Sequence, residues 1–221
     1  MLRSEAPPLV AQAPEAGQAG ILLSFDGGAR ASCGGIRLPA GAAPVAGAGA
    51  ALWAEPDRDG RRECLAQLVV SAPRLRNSML AEGTGLAYGL LLVAGACGSP
   101  GPLSVMGDNL PVVRLGACNS RLRADAVWAE VEDALMLIAS RRWQPRWLAV
   151  RRHLNRAADA LATCGVLEAL RSLDAGGGPD QVWLWCDSAA FHRRGWRVPT
   201  SITGRPATLV HVATRPLSDL R

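Results

Sequence analysis

The sequence of apolar segments along this chain predicts an α/β fold. The expected sheet is mixed and five-stranded, a three-strand antiparallel meander joined to β-α-β units, with helices on both faces. Two features carry that expectation. Three strand-like runs stand together near the N-terminus with no helical pattern between them, and after residue 77 helical and strand-like segments alternate. Hairpin-joined strands that pass into alternating elements build a sheet with antiparallel and parallel parts. At 221 residues, 49% of them apolar, the chain can supply a proper core for one domain with extensions.

The three runs are "ILLSFDG", "GAGAALWA" and "ECLAQLVVSA". The Gly/Pro-rich "ASCGGIRLPAGAAPV" between the first two reads as a loop, and the polar "EPDRDGRR" between the second and third as a hairpin turn. A helix is expected from about Ser78 to Cys97, with Glu82, Gly85, Leu86, Gly89, Leu90, Val93 and Cys97 on one stripe facing the sheet. Gly85 and Gly89 on that stripe let the helix approach closely, and Glu82 points at the sheet's edge. "PLSVMGDN" is the fourth strand, ending in Asp108. A short helix over 109–117 and a longer amphipathic one over "RADAVWAEVEDALMLIAS" follow. "PRWLAVRRH" is the fifth strand, and "NRAADALATCGVLEALRSL" the last helix, with Asn155 as its N-cap. Of the tryptophans, Trp128 and Trp143 are expected in the core. Beyond "GGGP", the segments "DQVWLWCD" and "PATLVHVATRP" read as two further strands of no assigned role.

Three regions result: a flexible Ala/Pro-rich arm over 1–20, a domain over 21–173, and a C-terminal extension over 174–221. The net charge is +5 with an isoelectric point near 9.2, and every basic residue apart from three histidines is arginine. A basic surface suits a polyanionic partner. The six cysteines are scattered without a C-x-x-C pair, which argues against zinc and against a secreted disulfide framework. Buried free thiols in a reducing compartment are expected, and with them an intracellular, cytoplasmic or nuclear, location. The arm lacks the hydrophobic block of a signal peptide. "LAYGLLLVAGACG" is too short and glycine-rich to read as a membrane span, so no membrane partner is expected.

Four carboxylates share an odd placement at breaks between elements: Asp26, Glu82, Asp108 and Asp159. Taken alone, Asp26 could simply open a turn after its strand. As a set the four mean more. Strands one and four are expected to be neighbours, which brings Asp26 beside Asp108. Carboxylates gathered in one place repel and raise each other's pKa values, and divalent cations resolve that conflict. Oxygen ligands without His or Cys favour Mg²⁺ or Mn²⁺ over zinc.

The residues that carry these carboxylates resemble a known family. "FDGGAR" on strand one, "AEGTGLAYGL" on the first helix, "GDN" after strand four and "RHLNRAADALA" near the end are similar, in order, to motifs of the type 1 ribonuclease H family over roughly residues 20–170. The resemblance implies an RNase H-like fold and a metal-dependent endonuclease, a hydrolase that cuts the RNA strand of RNA/DNA hybrids as a monomer. It implies that Asp26, Glu82, Asp108 and Asp159 hold two Mg²⁺ ions, for which Mn²⁺ substitutes, about 4 Å apart. One ion would activate a water and the other stabilise the leaving oxygen, leaving a 5′-phosphate and a 3′-hydroxyl. Ser78, Arg152 and Asn155 are the expected substrate contacts.

The chain also departs from the family. An Asn pair that often precedes the helix glutamate is here Ser78 and Met79, with Asn77 offset by one. Ser78 can still donate a hydrogen bond and Met79 cannot. A basic protrusion used by some members is missing, so Arg121, Arg123, Arg141, Arg142, Arg151 and Arg152 are the candidates for phosphate contacts. The family's loop histidine has no counterpart at its usual distance; His153 stands six residues before Asp159, and a surface or substrate-contact role is expected of it. Two alternatives are a non-catalytic, retroelement-derived nucleic-acid-binding module on the same fold, and a nuclease for duplex or single-stranded RNA.

Overall fold

A computed structural model describes residues 20–54, 62–96, 102–118, 126–174, 180–199 and 208–213. The arm over 1–19, most of the 55–62 turn, Cys97, Arg121, Arg123 and the "GGGP" segment lie outside the described residues. The elements in chain order are β1 (Ile21–Arg30), β2 (Ser32–Cys33), β3 (Ile36–Arg37), β4 (Val45–Ala54), β5 (Cys64–Ala72), α1 (Ser78–Ala96), β6 (Leu103–Gly107), α2 (Leu110–Cys118), α3 (Ala126–Ser140), β7 (Pro145–Ala149), a 3₁₀ turn (Arg152–Leu154), α4 (Arg156–Asp174), β8 (Gln181–Cys186), α5 (Ser188–Arg193) and β9 (Thr208–Ala213).

The α/β architecture is the expected one: a mixed sheet with helices on both faces. Its strand order is β7-β6-β1-β4-β5-β8-β9. β1, β4 and β5 form the antiparallel meander, while β6 and β7 run parallel to β1. The sheet has seven strands rather than five. β8 pairs antiparallel with β5, with Leu68 opposite Leu184, and β9 lies beyond it. Val182, Leu184 and Cys186 alternate into the core cluster of α1 and α5, so β8 covers what would be an exposed edge of β5. The segment between β1 and β4 is not all loop either. Gly34 and Gly35, both at positive φ, turn the short β2–β3 hairpin.

α1 differs from the one-sided stripe. Fifteen of its residues are buried, because β1 and β4 pack on one side and Val127 and Trp128 of α3 close on Gly83 from the other. It is the one described helix long and apolar enough to cross a membrane, and here it is buried inside the protein. The sheet side is made possible by missing side chains. A Cβ on Gly85 would press on the Asp26 carbonyl, and one on Gly27 would overlap the Ala81 carbonyl and Glu82 N. On the opposite face α4 comes down on Gly47 and Gly49 of β4 in the same way. Two helices thus bear on the middle of the sheet from either side, close to Asp26. Trp128, Trp143 and Trp147 are buried in the core, while Trp53, Trp183 and Trp185 are partly buried beside Leu161 on the α4 face. The expectation of buried thiols holds for Cys186 alone among the four cysteines whose side chains are described. Cys33 and Cys64 are half-buried, and Cys164, on the outer side of α4, is exposed.

Candidate active site

Asp26 lies in mid-strand, and the turn reading fails because β4 keeps pairing with β1 as far as Arg30 and Val45. Pairing with β6 stops earlier, at Ser24 and Met106. Two residues further along each strand stand Asp26 and Asp108, so both carboxylates sit where β1 and β6 part. Glu82 arrives from the second turn of α1, seated there by Gly27. Ligand oxygens of Asp26, Glu82 and Asp108 lie within 4.8 Å of one another. Asp26 and Glu82 are buried, at 4% and 6% exposure, and Asp108 is half-buried.

Three carboxyls this close cannot all be charged without a cation. Burial raises Glu82 first, then the charge and hydrogen bond of Asp26 and the charge of Asp108, pushing it up to about 10. Asp26 is raised to about 6 by burial and by Asp108, against the lowering effect of its hydrogen bonds from Glu82 and from Gly27 N, the latter at 2.8 Å. Glu82 therefore holds a proton at neutral pH and shares it with Asp26. Its Oε2 is buried without a hydrogen-bond partner. An orphan oxygen in a group of three close carboxylates, with oxygen donors only, fits a hard divalent cation.

Both groups bind a proton more tightly in the folded chain than their ordinary values of 3.8 and 4.5 allow in the unfolded one. The stability they contribute is complete below pH about 4, and is lost as pH rises through about 6 for Asp26 and toward 10 for Glu82. Thermal melts without metal are expected to show Tm falling from pH 5 to pH 8. Glu82→Gln, neutral at every pH, should flatten that slope, and Mg²⁺ should raise the wild-type Tm at pH 8. Parallel slopes in the two proteins would contradict the shared proton.

The remaining expected residues fall around this cluster. Asp159 is in the first turn of α4 and close enough to raise Asp26, but stands outside the three-carboxylate group and pairs with Arg152. Asn155 occupies the N-cap position, with its carbonyl accepting from Asp159 N at 3.0 Å, yet its side chain does not cap. Its Nδ2 donates to Phe25 O at 2.8 Å and to Asp108 Oδ1 at 2.9 Å; the residue is 1% exposed and Oδ1 has no partner. Two acceptors fix which end of the amide is nitrogen. Asn155 thus ties β1 to the Asp108 carboxylate from below, where a substrate contact was expected. Ser78 is exposed at the start of α1, accepting from Ala29 N at 3.1 Å. The true cap of α1 is Asn77, whose Oδ1 accepts from Met79 N at 2.7 Å.

Among the described arginines, Arg152 flanks the site through Asp159, and Arg151 is the exposed residue before it. Arg141 donates to Ala94 O, twelve residues along α1 from Glu82, or about 18 Å of helix rise away from the carboxylates. His153 is exposed on the 3₁₀ turn, four residues beyond the end of β7 rather than at a strand end. One residue escaped the sequence reading. Asn109 hydrogen-bonds the Glu82 side chain while its Oδ1 accepts from Val112 N, so it caps α2 and steadies the cluster together. The signal was the last letter of "GDN".

No protein-family model matches the chain, and no curated protein matches it. Among solved structures the chain is similar to type 1 RNase H domains. The N-terminal RNase H domain of Rv2228c from Mycobacterium tuberculosis is 21% identical over 70% of this chain and 99% of its own, with a TM-score of 0.48. RNase H1 from Halobacterium salinarum NRC-1 is 20% identical over 69% and 99%, at 0.46. LC11-RNase H1, solved in complex with an RNA/DNA hybrid, is 18% identical over 68% and 99%, at 0.48.

Proposed function

We propose that the protein is a divalent-metal-dependent endonuclease that hydrolyses the RNA strand of RNA/DNA hybrids, leaving a 5′-phosphate and a 3′-hydroxyl. The observation that carries this reading is the buried Asp26–Glu82–Asp108 cluster with its unpartnered Glu82 Oε2. A pure binding module gains nothing from three mutually repelling carboxylates facing a polyanion. Asp26, Glu82 and Asp108, with Asp159 at the rim, would hold two Mg²⁺ ions, and Mn²⁺ would substitute. When bound, such ions neutralise charge on a phosphoryl group and lower the pKa of water.

The chain's own residues do the rest. Asn155 and Asn109 fix the Asp108 and Glu82 carboxylates, so little reorganisation is left for the reaction. Arg151 and Arg152 are exposed, Arg152 at the rim of the site, and would meet the backbone phosphates. Ser78, exposed at the start of α1, has its hydroxyl hydrogen available for the nucleic-acid backbone. The choice of a hybrid substrate follows the four sequence motifs. It is tested by incubating the purified protein with labelled hybrid, duplex RNA, duplex DNA and single strands, with and without Mg²⁺. Cleavage of the hybrid's RNA strand alone, abolished by chelator, is expected. Preferential cutting of duplex or single-stranded RNA would replace the substrate, and no cutting of any of them would leave the binding module.

His153 is expected to contribute little. It is exposed on its turn and is not part of the Asp26–Glu82–Asp108 group, and general acid–base work needs a heavy-atom distance of about 3 Å. His153→Ala should keep turnover within about tenfold of wild type, below the 10²–10⁴ effect of removing a general acid or base. A hundredfold loss in kcat with unchanged hybrid affinity would give it a catalytic role.

A further inference from the structure

The ion pair between Arg152 and Asp159 has a consequence for the order in which this site fills. Arg152 Nε donates to Asp159 Oδ1 at 3.0 Å and Nη2 donates to the same oxygen. The guanidinium is also within electrostatic reach of Asp26 and Asp108. The fourth carboxylate is thereby engaged by a resident cation and stands outside the group of three. Both partners remain reachable: the Arg152 side chain is 65% exposed and that of Asp159 33%. Arg152 sits on a 3₁₀ turn with no buried residue, so its side chain can swing without disturbing the core. Solvent-exposed pairs of this kind contribute little to stability and are exchanged cheaply. A guanidinium fork that binds one carboxylate oxygen binds phosphate at least as well.

We propose that Arg152 is a polyanion-sensitive latch on Asp159. In the free protein it keeps the fourth carboxylate from a second divalent cation. A backbone phosphate of bound nucleic acid draws the guanidinium away and hands Asp159 to that cation. Filling of the second cation position is then coupled to polyanion binding, and by linkage the coupling is reciprocal. The inference rests on the proposed cation site and adds to it the order of assembly.

The test is a Mn²⁺ titration of the full chain, reading free Mn²⁺ by electron paramagnetic resonance, with no turnover involved. Wild type and Arg152→Ala are titrated alone and with a duplex of DNA and 2′-O-methyl RNA as a non-cleavable polyanion, against a duplex-only control. Wild type alone should bind one Mn²⁺ well and a second weakly. Arg152→Ala alone should bind the second about fivefold more tightly, and the duplex should tighten the second ion less in the variant than in wild type. Arg152→Gln repeats the measurement should the alanine variant fold poorly by circular dichroism. An unchanged second site in both variants, or two equally tight ions in free wild type, overturns the latch and leaves the cation site standing. No Mn²⁺ binding to wild type overturns the cation site and the latch with it.

Discussion

Asp108→Asn should lower hybrid cleavage by about three orders of magnitude while the protein stays folded and still binds hybrid. The change is nearly isosteric, and the amide oxygen can go on accepting from Asn155 Nδ2, so the tie between β1 and the end of β6 survives. What is lost is one negative charge at a site read as a cation cradle. Such cations stabilise transition-state charge by several kcal/mol, and each 1.36 kcal/mol is about tenfold in rate. Turnover with labelled hybrid in saturating Mg²⁺, beside binding measured by fluorescence anisotropy, checks it. Cleavage equal to wild type would remove Asp108 from the metal ligands.

Gly27→Ala should be among the most damaging single methyl additions at the described glycines. The added Cβ meets the Ala81 carbonyl and Glu82 N, both backbone atoms of a buried helix, with no flexible side chain to give way. Overpacking a core costs about 1–3 kcal/mol, and backbone obstruction belongs at or above the top of that range. For a domain of this size that is a fall in Tm of about 6–12 °C. Because the obstructed residues are Ala81 and Glu82, whatever relief α1 finds moves Glu82 from Asp26, so Mn²⁺ affinity should fall as well. Gly28→Ala is the control: its Cβ would meet nothing within 4 Å. Equal melting of the two variants would show that α1 is not seated on Gly27.

The motif around Gly27 marks what the sequence could express. Asp26 and Gly27 stand in one short motif, and the run before them announces a strand, so the sheet's centre and its first carboxylate were readable. The neighbouring of β1 and β6 followed from the alternation of elements. The second role of Asn155 was hidden, because an asparagine just before a helix looks like a cap whether or not its amide turns to another strand. The full burial of α1 was hidden too, since it depends on α3 closing over Gly83, a tertiary fact with no local pattern. The edge strands β8 and β9 were readable as apolar runs, but "HRRGWRVPTSITGRP" between them has no period from which their pairing could be derived. Arg152 was readable as a substrate contact and a candidate for phosphate. Only the fold shows that it reaches Asp159, one turn into the next helix.

Asp26, Glu82 and Asp108 are proposed above as ligands of a divalent cation. Crystals of the protein soaked in Mn²⁺, with data collected at the manganese absorption edge, test it most directly. An anomalous difference peak ligated by those three carboxylates is expected, with Glu82 Oε2 among the ligand atoms. No peak there at a Mn²⁺ concentration that supports cleavage, or a peak held by other residues, would contradict it.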